Sequence, residues 1–342
     1  MNEILSQIAA PLLRWFDGHK RELPWRADTE PYHVWVSEIM LQQTRIEAVM
    51  GYYARFMAAL PDVRALSEVD DDALLKLWEG LGYYSRARNL KKAAQMMMTD
   101  FGGVFPSRYA DIIRLPGVGE YTAGAIASIC FGERVPAVDG NVLRVAARLT
   151  GCRDNVLLPE TKKEITRRLA AVMPADAGTF NESLMELGET VCLPNGAAHC
   201  GECPLQACCT AYREGLTNDL PVRIKKMKRT HAEKTVLLIT APDGTVALEK
   251  REEPGLLHGM YQLPNVEGHV SEARLTEFLE EWGLQPQTVS FYKDAKHVFT
   301  HIDWLLKGWR VAAAHKSEQF LWVSPKEMEE AYPLPTAFRK ML

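Results

Sequence analysis

A glycine hairpin between two predicted helices constrains the fold of this chain more than any other stretch. The hairpin Leu115–Gly119 (Leu-Pro-Gly-Val-Gly) separates the predicted helices Tyr109–Leu115 and Tyr121–Cys130, and the second helix is rich in small residues. Glycines let a backbone approach a ligand closely, and the first N–H groups of the next helix suit phosphate. A lone Pro-Gly-x-Gly is more often an ordinary turn. The hairpin therefore indicates a phosphate site only in combination with further motifs.

A carboxylate lies on the apolar stripe of an earlier predicted helix. Residues Pro31–Thr44 have helical periodicity, and Glu38 follows Val34 by four positions and precedes Leu41 by three. A carboxylate on such a stripe costs free energy unless it is protonated, partnered or used chemically. The alternative is a partly exposed glutamate at the edge of the stripe.

A second carboxylate, Asp139, precedes another predicted helix. The apolar positions Val142, Val145 and Leu149 follow it at helical spacing, so Asp139 is a predicted N-cap. A capping aspartate uses one oxygen for the helix and can point the other oxygen into a cleft. The structural and the chemical interpretations of Asp139 are therefore compatible.

The cysteines indicate a metal centre rather than a disulfide framework. Five of the seven cysteines fall within Cys192–Cys209, which is typical of a metal or iron–sulfur site in a reducing compartment. Gaps of seven, two and five residues separate Cys192, Cys200, Cys203 and Cys209. Four soft thiolates suit an iron–sulfur cluster or a tetrahedral zinc ion, although zinc sites more often contain two C-x-x-C pairs. Cys208 is an alternative fourth ligand.

The hydrophobic periodicity changes past the middle of the chain, whose 342 residues suffice for two or three domains. The pattern is helical up to Glu189, and Asn218–Arg229 reads as a linker. From Lys234 onward the pattern becomes strand-like and begins with a predicted β-hairpin, turned at residues 242–244. The second part is therefore predicted to be mixed α+β.

Charge and hydropathy argue against a membrane protein and against a chain that is basic throughout. Lysine and arginine number 40 against 44 acidic residues, a net charge of −4, so any nucleic-acid surface must be local. The basic run Arg223–Arg229 permits such a surface. Apolar runs stay below membrane-spanning length and the first residues lack a signal-peptide pattern, so we expect a cytoplasmic protein without a membrane partner.

Together these motifs resemble the helix-hairpin-helix DNA glycosylases of the endonuclease III type. The resemblance rests on Leu115–Gly119, on residues 138–141 (Val-Asp-Gly-Asn) and on the terminal cysteine cluster. Within that superfamily, residues 36–44 (Val-Ser-Glu-Ile-Met-Leu-Gln-Gln-Thr), Gly80–Tyr84 and the appended α+β part resemble MutY-type adenine DNA glycosylases. The resemblance spans nearly the whole chain, with several independent motifs in the family's order.

The resemblance implies a mainly α fold, in which a helix-hairpin-helix glycosylase fold with an iron–sulfur module precedes a smaller α+β Nudix-like domain. A six-helix barrel is expected at about 24–137 and an iron–sulfur module from 1–23 and 138–217. A linker at 218–232 and a Nudix-like 8-oxoguanine-recognition domain at 233–342 follow. The expected cofactor is a 4Fe-4S cluster on Cys192, Cys200, Cys203 and Cys209. The first cysteine gap of seven departs from the family's usual six, an insertion that a loop tolerates.

The resemblance also implies a reaction. Glu38 matches the family's catalytic acid, Asp139 its catalytic aspartate, and Asn141 a residue that positions the aspartate and water. Tyr121 stands where bifunctional lyases carry a nucleophilic lysine, and a phenol forms Schiff bases poorly. The implied activity is excision of adenine opposite 8-oxoguanine or guanine in double-stranded DNA, without efficient strand cleavage. We expect a monomer associated with the bacterial nucleoid.

The DNA contacts that the resemblance implies are Arg26, Gln43, Leu81, Tyr83, Gly117, Gly119, Phe299, Thr300 and His301. Among these, Gln43, Leu81 and Tyr83 match residues that wedge into the duplex beside the lesion pair. Gly117 and Gly119 match the phosphate-gripping hairpin. The loop 299–301 matches the one that reads 8-oxoguanine, with Thr300 where many members carry serine and with the hydroxyl retained.

Three rival interpretations each have residues against them. A glycosylase/lyase for oxidised pyrimidines would carry a lysine where Tyr121 stands. A Nudix-type pyrophosphatase needs an intact Nudix box, but in residues 276–284 Thr276 replaces its arginine and the upstream half is not in register. A non-catalytic iron–sulfur DNA-binding protein would not need both Glu38 and Asp139.

Overall fold

The computed structural model describes residues 2–194, 196, 198–224 and 229–342. Three lysines of the basic run, Lys225, Lys226 and Lys228, lie outside the described residues. The chain divides into two compact units, one of Met1–Glu68 with Asn89–Lys225 and the other of Val69–Arg88 with Lys226–Leu342. The second unit thus includes a segment, Val69–Arg88, that the predicted domain limits place in the helical barrel.

The chain is helical as far as residue 213. Its α-helices there are α1 (Asn2–Leu5), α2 (Ala9–His19), α3 (Pro31–Leu41), α4 (Ile46–Ala59), α5 (Val63–Glu68), α6 (Asp71–Leu77), α7 (Ser85–Asp100), α8 (Tyr109–Ile112), α9 (Glu120–Phe131), α10 (Gly140–Thr150), α11 (Pro159–Ala170), α12 (Ala177–Thr190) and α13 (Thr210–Arg213). Short 3-10 turns occupy Pro24–Arg26, Cys200–Glu202 and Gln206–Cys208. Local signals begin several helices, because proline suits the first position of α3 and aspartates cap α6, α10 and α12.

Some helix boundaries differ from the predictions. The predicted helix over residues 2–17 is broken between α1 and α2, since Pro11 has no N–H to offer the carbonyl of Gln7. The predicted helix from Asp71 to Tyr83 ends at Leu77. It cannot continue, because φ is 99° at Gly80 and 47° at Tyr83. The short helix α5 was not predicted.

The glycine hairpin between α8 and α9 has the predicted form. Gly117 has φ of 79°, and a Cβ at this position would lie 2.7 Å from the Cβ of Asn89, so only glycine fits without a shift. Gly119 is the N-cap of α9. The hairpin therefore opens into a helix whose first N–H groups have no acceptor within the helix.

Helix α12 packs against α2, α9 and α10 in the first unit. Its buried residues Phe180, Leu184 and Leu187 join one hydrophobic core with Leu12 and Val145. The same helices bury polar side chains, among which are Asn181, Glu186, Arg144 and Arg148. The helices that form the core thus also carry the polar residues of a candidate site.

The C-terminal part forms a mixed sheet with helices. Its strands are β1 (Thr230–Thr240), β2 (Val246–Lys250), β3 (Tyr261–Gln262), β4 (Asn265–Glu267), β5 (Pro286–Val298), β6 (Ile302–Ala313) and β7 (Leu321–Val323), and its helices are α14 (Glu272–Glu281), α15 (Pro325–Glu330) and α16 (Thr336–Arg339). The sheet order is β3-β2-β1-β6-β5, with β4 paired to β1 and β7 paired to β2. Strands β1 and β6 are parallel, with Thr230 opposite Ile302, and the other pairs are antiparallel.

Two features of this sheet test the strand predictions. The predicted hairpin of β1 and β2 is confirmed, with Thr240 opposite Val246 and Gly244 in the turn at φ of 82°. The predicted strands 288–291 and 297–301 are instead one strand, β5, and residues 299–301 form the turn into β6. In the described residues no helix has both the length and the apolar character to cross a membrane.

Candidate active site

A cleft of about 1670 Å³ in the first unit collects most of the predicted site residues. The loop before α3, α3 itself, the start of α9, the start of α10 and one face of α12 line it. The predicted residues on its wall are Arg26, Glu38, Gln43, Gly117, Gly119, Tyr121, Asp139 and Asn141. Residues separated by about a hundred positions in sequence thus share one cavity.

Glu38 is a buried carboxyl group in this cleft. It lies on α3 with 7% of its surface exposed, and the Tyr121 hydroxyl donates a hydrogen bond of 2.5 Å to its Oε2. Burial raises the pKa of Glu38 to about 7, and the charges of Asp139 and Glu182 act in the same direction, whereas Tyr121 and Arg26 oppose the rise. The group can therefore hold a proton near neutral pH.

Tyr121 lies in the first turn of α9, between Glu38 and α12. Its hydroxyl is 2.5 Å from Glu38 Oε2 and 3.2 Å from the sulfur of Met185. Burial and the neighbouring carboxylates hold the pKa of Tyr121 well above its usual value. The side chain therefore stays a neutral phenol that can donate a hydrogen bond.

Asp139 is both an N-cap and a cleft residue. Its Oδ1 accepts hydrogen bonds from the backbone N–H groups of Asn141 at 2.9 Å and Val142 at 2.7 Å. Its Oδ2 accepts one from Asn141 Nδ2 at 3.0 Å. Burial raises the pKa of Asp139, while these backbone hydrogen bonds and Arg144 oppose the rise. The backbone hydrogen bonds of the N-cap therefore hold Oδ1, whereas Oδ2 is bonded to the side-chain amide of Asn141.

Arg144, which was not among the predicted site residues, connects this corner of the cleft to the cysteine segment. Its Nη2 donates to Asn141 Oδ1 at 2.7 Å and to the Gly188 carbonyl at 2.8 Å. Its Nε donates to the Cys192 carbonyl at 2.8 Å. Arg144 is buried among the apolar positions of α10, and a charge inside an apolar periodic run is the signal that could have found it.

Arg26 lies in the cleft wall within a network of carboxylates. Its guanidinium pairs with Glu182 at 3.0 Å and with Glu186 at 2.9 Å. Glu186 also accepts two hydrogen bonds from the Arg21 guanidinium and one from the Arg21 backbone N–H, and the two arginines lower the pKa of Glu186 despite its burial. Burial raises the pKa of Glu182. The predicted DNA contact Arg26 is therefore already engaged by acidic residues that sequence reasoning missed.

The cysteine segment brings four thiols close enough for their charges to interact. Burial raises the pKa of Cys203 to about 12, a backbone hydrogen bond at Leu205 opposes the rise, and the charges of Cys192, Cys209 and Cys200 add to it. Arg148 Nη1 donates to Cys192 Sγ at 3.2 Å, which places a cation beside the group. The Cys208 thiol donates to the Leu205 carbonyl at 3.3 Å and the Cys209 thiol donates to the Arg148 carbonyl at 3.6 Å. Burial raises the pKa of Cys208 and of Cys209, and the charges of Cys192 and Cys200 add to the rise at Cys209. These charge interactions favour Cys209 over Cys208 as the fourth member of the set.

The described part of the chain contains no group of three or more His, Cys, Asp or Glu side chains arranged to hold a metal ion. Whether Cys192, Cys200, Cys203 and Cys209 suit a cofactor is therefore judged from the chemistry of their sulfur atoms and not from a preformed metal geometry. Besides burial, the charges of neighbouring cysteines help to raise the pKa of Cys203 and of Cys209, so thiolates gathered here gain from a cationic core, and thiolate is the ligand that iron–sulfur clusters use.

The second unit brings together two predicted DNA contacts that lie far apart in sequence. The Tyr83 and Thr300 hydroxyls are 2.9 Å apart, and Tyr83 is 44% exposed. The ring of Phe299 packs between His297 at 4.5 Å and Trp304 at 4.8 Å, while His301 is exposed. Thr300 thus meets Tyr83 from a loop whose aromatic residue, Phe299, is packed between two rings.

Leu81, one of the three predicted wedge residues, is buried in this structure. Leu81 is only 7% exposed because its short turn folds back, with its N–H bonded to the Trp78 carbonyl and its own carbonyl bonded to Arg86. Tyr83, in the same turn, is exposed. In the first unit, Gln43 is exposed at φ of 59° just after α3. Gln43 and Tyr83 remain candidates for the wedge.

Both parts of the chain match the profiles of known protein families. Residues 36–175 match the profile of the HhH-GPD superfamily of base excision DNA repair proteins, and residues 235–342 match the profile of the NUDIX domain. These matches confirm the predicted helical glycosylase fold and the Nudix-like second part.

Individual proteins are similar over most of the chain. An adenine DNA glycosylase of Buchnera aphidicola (subspecies Baizongia pistaciae) is 33% identical over 296 residues, which cover 85% of this chain and 82% of that protein. An adenine DNA glycosylase of Arabidopsis thaliana is 37% identical over 301 residues. That match covers 76% of this chain but only 48% of the plant protein.

Solved structures resemble the helical part. A thermostable thymine-DNA glycosylase aligns with a TM-score of 0.56 at 25% identity, over 62% of this chain and 98% of that chain. An endonuclease III trapped as a covalent intermediate with DNA aligns with a TM-score of 0.54 at 23% identity. That alignment covers 63% of this chain and 99% of the endonuclease chain, and it shows a common fold.

Proposed function

This chain belongs to the adenine DNA glycosylases of the HhH-GPD superfamily, and from that membership we propose that its cleft removes adenine paired with 8-oxoguanine or guanine. Enzymes of this class hydrolyse N-glycosyl bonds in base excision repair. Adenine inside a duplex is out of reach of any side chain, so the nucleotide must first be flipped out of the stack. The cleft between α3, α9 and α12 is the pocket that we assign to the flipped base.

One observation carries this proposal: a buried carboxyl group with a pKa of about 7 shares a cleft with a second carboxyl group. Breaking the glycosidic bond requires a proton on the departing adenine, and Glu38 is suited to donate it at N7. The sugar then gains oxocarbenium character. Asp139, at the positive end of α10, is suited to stabilise that cation in its ionised form while water attacks.

Tyr121 supports a monofunctional reaction. A lyase needs an amine that attacks the sugar carbon and forms a Schiff base, whereas Tyr121 offers a neutral phenol that is bonded to Glu38. The product that we expect is an abasic site in an intact strand.

The pair Tyr83 and Thr300 supports recognition of the opposite base. 8-Oxoguanine differs from guanine by a C8 carbonyl and an N7–H donor, and a hydroxyl can accept from that donor. The two hydroxyls are 2.9 Å apart on the second unit, so one of them can orient the other toward the base. Gln43 and Tyr83 are the residues we assign to the wedge, and Gly117 and Gly119 those we assign to phosphate.

We assign a 4Fe-4S cluster to Cys192, Cys200, Cys203 and Cys209. When bound, such a cluster cross-links the loop between α12 and α13 and adds folding free energy. Arg148 supports this assignment because it donates to the Cys192 sulfur. We also propose that the protein is a monomer and that it acts on double-stranded DNA in the bacterial nucleoid.

Single-turnover base release tests the proposal. Duplexes carry adenine opposite 8-oxoguanine, guanine or thymine, and each reaction is analysed with and without alkaline strand cleavage. We expect release opposite the first two bases only, and strand breaks only after alkali. Glu38→Gln should abolish release while binding to the mismatched duplex persists. Release from a pyrimidine-lesion duplex with direct strand cleavage would overturn the proposal.

A further inference from the structure

The last turn of α12 places a further carboxylate at the active-site cleft. Glu189 lines the same cleft as Glu38 and Asp139, and its Oε1 accepts a hydrogen bond of 2.6 Å from Asn141 Nδ2. The same nitrogen donates to Asp139 Oδ2 at 3.0 Å. Two carboxylates therefore share one amide group.

These contacts give both polar ends of the Asn141 side-chain amide a partner. Its two N–H groups face Asp139 and Glu189, and its carbonyl oxygen accepts from Arg144 at 2.7 Å. A flipped amide would point its oxygen at two carboxylates and its N–H groups at a guanidinium. Glu189 and Arg144 thus fix the orientation in which Asn141 can donate to Asp139.

The backbone of α12 is shaped for this contact. A Cβ at Gly188 would lie 2.6 Å from the Cβ of Asn141, so α12 and α10 can approach this closely only with glycine at position 188. That close approach brings the next residue, Glu189, to the Asn141 amide.

The contact with Asn141 also explains why a carboxylate, Glu189, lies in a cleft where a negative charge is unfavourable. Glu189 is exposed in a cleft that must receive DNA, and a carboxylate there repels phosphates. Within the described residues Glu189 forms no ion pair that would offset this cost. Its one side-chain hydrogen bond in that part of the chain is to Asn141, a residue of the active site.

We propose that Glu189 is a positioning residue that orients the Asn141 amide and, through it, holds Asp139 Oδ2 toward the reacting sugar. This inference rests on the proposed function of Asp139. Glu189 itself does not touch the substrate. Its carboxylate is needed as a hydrogen-bond acceptor, which a neutral amide oxygen can replace.

The test is single-turnover release of adenine opposite 8-oxoguanine, with enzyme in saturating excess so that DNA affinity does not limit the rate. Glu189→Ala should slow release about tenfold because Asn141 loses a partner. Glu189→Gln keeps an acceptor and should stay within about twofold of the wild type. Glu47→Ala removes a carboxylate that lines the same cleft without bonding to Asn141, and it serves as the matched control.

Further readouts separate positioning from a fold defect and from a failure of the proposed function. Thermal unfolding should be unchanged in Glu189→Ala, and its DNA binding should be no weaker than that of the wild type, since a carboxylate that repels phosphates has been removed. Asn141→Ala combined with Glu189→Ala should be no slower than Asn141→Ala alone. A wild-type rate for Glu189→Ala, or a rate for Glu189→Gln as slow as that of Glu189→Ala, would overturn the inference. If Asp139→Asn excised adenine at the wild-type rate, the role of Asp139 on which this inference rests would fail, whereas a wild-type enzyme that released no adenine would refute the proposed function itself.

Discussion

The hydrogen bond from Tyr121 to Glu38 yields a quantitative prediction for the pH dependence of adenine release. If Glu38 donates the proton, the rate falls as pH rises through its pKa of about 7. The protonated fraction is then about 90% at pH 6 and about 10% at pH 8. Single-turnover rates of the wild type should follow this decline.

Removal of the Tyr121 hydroxyl should move that decline to higher pH. The hydroxyl donates to Glu38 Oε2 at 2.5 Å and stabilises the carboxylate form, which lowers the pKa against the effect of burial. A hydrogen bond to a charged group contributes roughly 1.5–3 kcal/mol. At 1.36 kcal/mol per pKa unit, Tyr121→Phe should raise the midpoint by about 1–2 units. The variant should therefore retain about half to about nine-tenths of its own plateau rate at pH 8, against about one-tenth for the wild type.

The assay is the single-turnover rate from pH 5.5 to 9.5, normalised to each variant's plateau. Tyr32→Phe is the matched control, because Tyr32 lies on the same helix as Glu38 and its buried hydroxyl bonds to the Leu60 carbonyl instead. It should leave the midpoint unchanged. A Tyr121→Phe midpoint that stays at the wild-type value or moves to lower pH would refute the assignment of Glu38 as the acid.

Three further predictions concern stability, recognition and the cysteines. Glu38 has a folded-state pKa of about 7 against an ordinary value of 4.5, so its ionisation destabilises the folded protein as pH rises between these values. Glu38→Gln should therefore gain up to about 3 kcal/mol over the wild type at pH 8, with the gain vanishing near pH 4.5 in thermal unfolding. Thr300→Val should slow single-turnover release opposite 8-oxoguanine about fivefold or more and release opposite guanine less than twofold, and equal slowing would contradict its role as a reader. Cys209→Ser should lose the visible absorbance of the cluster and Cys208→Ser should keep it, whereas the reverse result would assign Cys208 as the ligand.

Sequence patterns predicted the elements that depend on neighbouring residues. Helices such as α4 and α9, the hairpin around Gly117 and the β1–β2 turn at Gly244 follow from periodicity, from glycine conformation and from proline chemistry, all of which act within a few residues. The candidate acid Glu38 was visible for the same reason, since a carboxylate on an apolar stripe stands out in a one-dimensional pattern.

Other features depend on contacts that no local pattern encodes. Glu182, Glu186 and Glu189 read as the polar positions of an amphipathic helix, yet they line the cleft because α12 packs against α2, α9 and α10. Leu81 matched a wedge in sequence but is buried, because the turn after α6 folds back on Trp78 and Arg86.

The sequence alone therefore determined the kinds of chemistry available: two carboxyl groups, a phenol in place of an amine, and a set of four thiols. The tertiary structure alone decided how these groups behave. Burial raised the pKa of Glu38, the close approach of α12 to α10 at Gly188 joined Glu189 to Asn141, and Arg144 linked that amide to the cysteine segment. The reason is physical, because proton affinity and side-chain orientation depend on the dielectric surroundings and on partners that are distant in sequence.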